Sequence, residues 1–243
     1  MKYIEWTEFN NIRAFTTTRE LGNVAYQVGN NYESVRKVRG IISHDLQLNE
    51  QNVVFVHQTH SDIIKEVTIK DLGKGMLSFE SGIEADALYT KEKGIALGIF
   101  HADCVPIFFY IPNKEIIGII HAGHQGTLKR IAEKSIEYLK KNEQVDSKDI
   151  YVHIGPSRKF FSYTIDKIES DYITSIGYEK ALKFNGGEVL FDAPLMNYLQ
   201  LIKTGVNPSN ITITDEDTYD NPHLYSAYQK TPVGRMASII LRK

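Results

Sequence analysis

The sequence predicts a mixed α/β fold, of the α+β or layered type, and three observations predict it. Stretches with apolar residues every three to four positions stand beside short, continuously apolar, β-branched runs. Those runs read as strands buried on both faces, which calls for covering layers on either side. The two kinds of segment intermix without strict alternation, so a barrel of eight strand–helix repeats is excluded.

The elements follow in order. Tyr32, Val35, Val38, Ile42 and Leu46 make a 3.6-period stripe, so a helix is expected over 32–48. Short strand-like runs then cover 52–57, 63–68, 87–90, 95–100, 105–111 and 116–121. A helix is expected over 126–142, with Leu128, Ile131, Ala132, Ile136 and Leu139 inward and Lys129, Arg130, Glu133, Lys134, Glu137 and Lys140 outward. A strand at 151–154 and helices at 167–176 and 193–203 come next, the last capped by Asp192 and stopped by Gly205. Strands at 211–214 and 236–241 end the series. No repeat or low-complexity linker interrupts the chain, so one domain over 1–243 is expected.

Composition narrows the function classes. A 27.7 kDa compact chain should expose about 11,000 Å², leaving ample surface for a core without staples. One cysteine excludes an internal disulfide framework and fits a reducing compartment. With 28 basic and 30 acidic residues and no block of like charge, nucleic-acid and polybasic membrane binding are not expected. Neither apolar stretch, 94–100 or 102–112, reaches the roughly 18 residues of a membrane span, and residues 1–13 lack a signal-peptide core. A cytoplasmic protein is the expectation.

Histidine and cysteine placement carries the chemistry. His57 and His60 follow one strand, His101 and Cys104 a second, His121 and His124 a third. Strand ends on one side of a sheet are where sites assemble. Zinc accepts imidazole nitrogen and thiolate sulfur, and a catalytic zinc keeps one position open. One donor per turn gives such a His2Cys set. The same residues also have plainer roles: a lone Cys suits a small buried hydrophobe, and His57 and His101 suit backbone-satisfied core positions. Gly123 and Gly126 lead from a strand toward a helix start, where amides bind anions; equally, that turn asks glycine for a positive φ. His153 to Ser157 offers a second backbone platform or a plain turn.

Taken in order, several segments resemble the YfiH-like family. They are Phe15-Thr16-Thr17-Thr18-Arg19, Val56-His57-Gln58-Thr59-His60, Glu84-Ala85-Asp86-Ala87-Leu88, Ala102-Asp103-Cys104-Val105-Pro106, His121-Ala122-Gly123, Ile154-Gly155-Pro156 and Gly234-Arg235-Met236-Ala237. That family has long been catalogued as multicopper polyphenol oxidoreductase (laccase) and is associated with purine nucleoside phosphorylase and adenosine deaminase activity. The resemblance implies a layered α-β-β-α sandwich, also found in a bacterial cytotoxic deamidase toxin. It implies zinc on His60, Cys104 and His121, rather than on His57 or His124. Within that frame Asp103, Cys104 and His121 are the candidate catalytic residues, and Arg19, Gln58, Gly123 and Arg235 the candidate contacts to a purine nucleoside and phosphate. Copper is the historical label, but eight histidines are too few for several copper centres.

The family's H-A-G-W-R-G is here His121-Ala122-Gly123-His124-Gln125-Gly126, and its Y-S-x-R-R is Tyr225-Ser226-Ala227-Tyr228-Gln229. Arginine is the bidentate phosphate ligand, so these losses bear more on phosphorolysis than on deamination. Arg19, Arg39 and Arg235 are the remaining candidate anion contacts, Asp103 or Asp62 the candidate proton carriers, and Tyr163 or Tyr225 the candidate base-stacking rings. Two alternatives to a nucleoside enzyme stand. One is a metal-independent Cys104–His121 amide hydrolase linked to peptidoglycan editing. The other is a member that binds nucleoside without turnover.

Overall fold

The computed structural model describes residues 1–29, 31–229 and 232–243. Its elements in chain order are β1 (Tyr3–Trp6), β2 (Ile12–Thr17), α1 (Tyr32–Asp45), β3 (Val53–His57), β4 (Ile64–Glu66), β5 (Ile83–Glu84), β6 (Ala87–Thr90) and β7 (Ala96–His101). There follow β8 (Val105–Ile111), β9 (Ile116–Ala122), α2 (His124–Leu128), α3 (Ile131–Glu143), β10 (Tyr151–Ile154), β11 (Thr164–Ile165) and α4 (Lys167–Ser175). The series ends with β12 (Leu182–Asn185), β13 (Glu188–Phe191), α5 (Ala193–Lys203), β14 (Ile211–Ile213) and β15 (Met236–Arg242).

Two six-stranded sheets, ordered β1-β2-β15-β7-β3-β5 and β14-β10-β8-β9-β6-β4, stack face to face, and β11-β13-β12 forms a small third sheet. Side chains alternate across a strand, and here both faces are apolar. Along β8, Phe108 and Tyr110 meet Val54, Leu97, Ile99 and Ile240 of the first sheet. Ile107, Phe109 and Ile111 point the other way, onto Ile131, Ile136 and Leu139 of α3 and Met196 and Leu201 of α5. The outer face of the first sheet, with Phe15, Phe55 and Ile239, is covered by Val38 and Ile42 of α1 and by Leu46 just after it. The layers are therefore α-β-β-α. The exposed area, 10863 Å², agrees with the expectation from mass. Among the described residues no helix is long and apolar enough to cross a membrane.

Two glycines admit aromatic rings into the sheets. Phe55 pairs with Gly98 across β3 and β7, and Phe109 with Gly118 across β8 and β9. A Cβ on either glycine would overlap the partner ring, so a bare strand is what lets each ring lie flat.

Several elements differ from the sequence expectation. The helix expected over 126–142 is two helices. The Thr127 carbonyl, which would accept from residue 131 in a continuous helix, instead accepts from Gln200 of α5 and from the Arg130 amide. Arg130 then turns left-handed, with φ +64°, and α3 begins anew. The first helix ends at Asp45 rather than at residue 48. β1, β2 and the third sheet were not expected: their residues mix polar and apolar, and pairing with β15 or with each other fixes them as strands. α5 forms as expected, with Asp192 accepting from the Leu195 amide and Gly205 at φ +94°.

Candidate metal centre

Three strand ends converge at one rim of the sandwich. β3 leads into His60, the turn from β7 to β8 carries Cys104, and β9 carries His121 next to its end. The pairing of Pro106 with His121 across β8 and β9 sets the Cys104 turn against His121. The donor atoms of His60, Cys104 and His121 all lie within 4.8 Å of one another. A tetrahedral zinc with two imidazoles and a thiolate has edges of ~3.4–3.6 Å, and donors all within 4.8 Å of one another stand near that spacing. His60 is exposed, Cys104 half-buried and His121 buried, which leaves one side open to a substrate.

A buried carboxylate organises this cluster. Asp86, fully buried, accepts from the amides of Thr59 (3.2 Å), His60 (3.2 Å) and Ser61 (2.7 Å) and from the Ser61 hydroxyl (2.7 Å). Three successive amides wrapped on one carboxylate hold His60 left-handed at φ +57°. The same carboxylate accepts from His121 Nδ1 at 2.8 Å, which turns Nε2 toward the cluster. Burial raises the Asp86 carboxyl, but the His121 and Ser61 contacts outweigh it and hold it below the usual range. Burial likewise raises the Cys104 thiol, and His121 and His60 beside the sulfur overcome this, pulling it down to about 6. Thiolate character is what a metal ligand, or a nucleophile, requires.

Gly123 closes the cradle. A Cβ there would sit 2.7 Å from His60 Cδ2, 3.2 Å from His121 Cε1 and 3.3 Å from Cys104 Sγ. Its φ is −67°, so the need for glycine is steric rather than a positive φ, contrary to the turn argument from sequence. The helix that follows spans five residues, too short to form an anion site at its start. His2Cys chemistry, the oriented His121 and the Gly123 cradle together fit a bound metal.

Two cavities flank the triad. One, of 240 Å³, is lined by Cys104, Asp103, His124, Arg158, Tyr163 and Tyr228 among others. The other, of 270 Å³, is lined by Gln58, Phe79, Phe100, His101, His121 and Arg235 among others. Both include His60 and Cys104.

The remaining expected site residues divide. Arg235 reaches the second cavity, with Nη1 donated to the Gly234 carbonyl. Gln58 lines it too, but both ends of its amide clamp the Phe100 backbone at 2.7 Å. Asp103 sits at φ +82°, and its carboxylate accepts from Thr218 Oγ1, Ser226 Oγ and the Tyr228 amide, pinning the 218–228 loop. Arg19 donates to the Pro222 carbonyl and lines neither cavity. Arg39 is fully buried, bonded to the carbonyls of Val24, Gly75 and Met76 and ringed by Tyr26, Phe55 and Phe100, so it serves the core. Asp62 pairs with Lys134 on α3. His57 packs on Phe79, and His101 is buried against Ser238, its pKa pushed down to about 3 by burial. Tyr225 packs on Gly234, whereas Tyr163 lines the first cavity and contacts His124 Nδ1 at 2.9 Å.

Sequence reasoning missed two residues. Asp86 was matched only as part of a motif; an acid entering a continuously apolar strand was the signal for a buried carboxylate. Arg158 lies one residue past the 153–157 platform.

A family model described as multi-copper polyphenol oxidoreductase laccase matches residues 15–243. Purine nucleoside phosphorylase YlmD of Bacillus subtilis is 32% identical over 224 residues, covering 90% of this chain and 81% of the relative. Purine nucleoside phosphorylase YlmD of Geobacillus stearothermophilus is 30% identical, covering 91% and 83%. The crystal structure of YlmD from Geobacillus stearothermophilus superposes with TM-score 0.94 at 27% identity, over 100% of this chain and 97% of the other. That of Bacillus licheniformis hypothetical protein YfiH gives TM-score 0.94 at 28%, with the same coverage. Sequence match over nearly the whole chain and a shared fold lead to one conclusion: this chain belongs to the multi-copper polyphenol oxidoreductase laccase family of YfiH and YlmD.

Proposed function

We propose that this chain is a metal-dependent purine nucleoside phosphorylase. The observation that carries the reading is a His2Cys triad between two cavities of different character, one holding an uncompensated arginine and one walled by Phe79, Phe100 and Arg235. Such a layout suits two unlike substrates that meet at the triad, and the relatives' name, purine nucleoside phosphorylase, agrees with it. In phosphorolysis a phosphate oxygen bonds to C1′ of the ribose as the C1′–N9 bond breaks. The electron pair leaves with the purine, which takes up the proton brought by hydrogen phosphate. Holding both reactants in line is the main contribution asked of the protein. Phe79 offers an apolar face to the base, and Arg235 a donor to it or to the sugar. His60, Cys104 and His121 would hold the metal, and Asp86 fixes the ring of His121. A bound zinc-type ion supplies Lewis acidity toward a substrate oxygen.

The test incubates metal-analysed protein with adenosine, inosine or methylthioadenosine, with and without phosphate, and separates the products. Phosphate-dependent release of free base, lost on chelation and restored by zinc, is expected. Inosine formed from adenosine without phosphate would point to hydrolytic deamination, and no turnover with metal bound would end the proposal. A second reading has its own observation. Asp86, His121 and Cys104 also align as a carboxylate, imidazole and thiolate, the set of a Cys–His hydrolase. Activity that resists chelation but is lost on thiol alkylation would favour it.

A further inference from the structure

Arg158 is 6% exposed, yet no acidic residue pairs with it among the described residues. Its backbone amide donates to the Asp103 carbonyl at 3.0 Å and its Nε to Ser162 Oγ at 3.1 Å. Its guanidinium lies 3.7 Å from the Tyr228 ring centre and 4.6 Å from that of Tyr163. Nη2 is buried without a hydrogen-bond partner, and Nη1 has none among the described residues. A buried cation with no counter-ion and unfilled donors is costly unless a partner arrives. Arg39 is fully buried and its Nη2 also lacks a partner, but its Nε and Nη1 donate to three backbone carbonyls and it lines neither flanking cavity. Arg158, by contrast, lines the 240 Å³ cavity beside Cys104.

The walls of that cavity suit an anion. Among the described residues Asp103 is the only acidic one on them, and both its oxygens are engaged by the 218–228 loop. The two tyrosine rings pack on the guanidinium, and neither Nη has an acceptor among the described residues, which leaves two donors of the kind that pair with two oxygens of a phosphoryl group. Arg235, the rival cation, stands in the other cavity with Nη1 already given to Gly234.

We propose that Arg158 is the phosphate-holding residue of this chain, gripping a phosphoryl oxyanion in the Tyr163–Tyr228 cavity while the nucleoside enters from the Arg235 side. The assignment rests on the phosphorolytic reading above and deepens it. The charge missing at positions 125, 228 and 229, where the resembling motifs carry arginine, is then supplied in part from the 155–163 segment, with Tyr228 as its stacking partner.

The test is direct binding by calorimetry to the metal-loaded protein without nucleoside, using inorganic phosphate and, separately, adenosine 5′-monophosphate. Arg158→Gln should weaken phosphate binding roughly 10- to 100-fold, the worth of a charge-assisted contact. Arg158→Lys, which keeps the charge, should recover part of the loss, and Arg235→Gln should change it by less than about 2-fold. Metal content and circular dichroism of each variant report folding, and the Lys variant keeps the test valid where the Gln variant folds poorly. Monophosphate binding that depends on Arg158, with no binding of phosphate alone, would support the subsite and name a nucleotide as the source. Unchanged affinity in both Arg158 variants, or a loss in Arg235→Gln instead, would overturn the assignment. Arg158-dependent phosphate binding by a protein that turns over no nucleoside would leave the subsite standing and remove the phosphorolytic reading.

Discussion

Replacing Asp86 by Asn tests how the metal candidate is held together. Asn keeps the shape and removes one acceptor, whichever way its amide lies. With the amide nitrogen in the Oδ1 place, the donors of His60 N and His121 Nδ1 lose their partner. With it in the Oδ2 place, those of Thr59 N and Ser61 N do. Two donors face an N–H in either case, and each buried unsatisfied donor costs ~1–3 kcal/mol. The lower bound, ~2 kcal/mol, lowers the melting temperature by roughly 4–8 °C in a chain of this size. Loss of the carboxylate behind a ligating imidazole lowers metal affinity about 10- to 100-fold. Differential scanning calorimetry and zinc competition against a chromophoric chelator measure the two effects. A folded Asp86→Asn variant with wild-type melting and wild-type zinc affinity would refute the reasoning. The pH dependence follows the same sign. The Asp86 carboxyl is held low, so its contribution is present above the unfolded value, ~3.9, and is lost as pH falls through the lower folded value. Asp86→Asn should therefore flatten the acid limb of the stability curve.

Three further outcomes follow from the packing. Gly123→Ala should keep the helical signal and lower zinc affinity at least about 10-fold, because its backbone is ordinary and only the methyl intrudes on His60 and Cys104; wild-type affinity by chelator competition would count against the steric cradle. Gly118→Ala should cost ~1–3 kcal/mol by overpacking against Phe109, measured by urea denaturation and relieved by Phe109→Leu in the same chain. Asp103→Ala removes the acceptor shared by Thr218, Ser226 and the Tyr228 amide, so hydrogen exchange over 218–228 should quicken while core strands keep their protection; unchanged exchange there would show that the loop is held by other contacts.

Legibility followed local pattern. β8 and β9 are apolar on both faces, and α5 has its cap and stop written at each end, so each could be read along the chain. The break between α2 and α3 could not. It depends on Gln200, 73 residues from Thr127, competing for one carbonyl. β1 and β2 were hidden for a similar reason, since their strand state comes from pairing with each other and with β15, at the opposite end of the chain. At the site, residue type and strand-end position pointed to one donor from each of three turns, and the family resemblance chose His60 over His57 and His121 over His124 beside Cys104. Arg19, Arg39 and Arg235 looked alike in sequence, yet one grips a loop carbonyl, one is sealed in the core and one lines a cavity.

Which strands are buried on both faces and which donors stand at their ends can be read along the chain, because period, apolarity and residue chemistry are local properties. The tertiary structure alone decided that these ends share one rim. It also turned Asp86 inward onto three amides and an imidazole, and left Arg158 without a partner beside the triad. Those outcomes depend on how two sheets stack and which long-range acceptors remain free, and neither is encoded within any one segment.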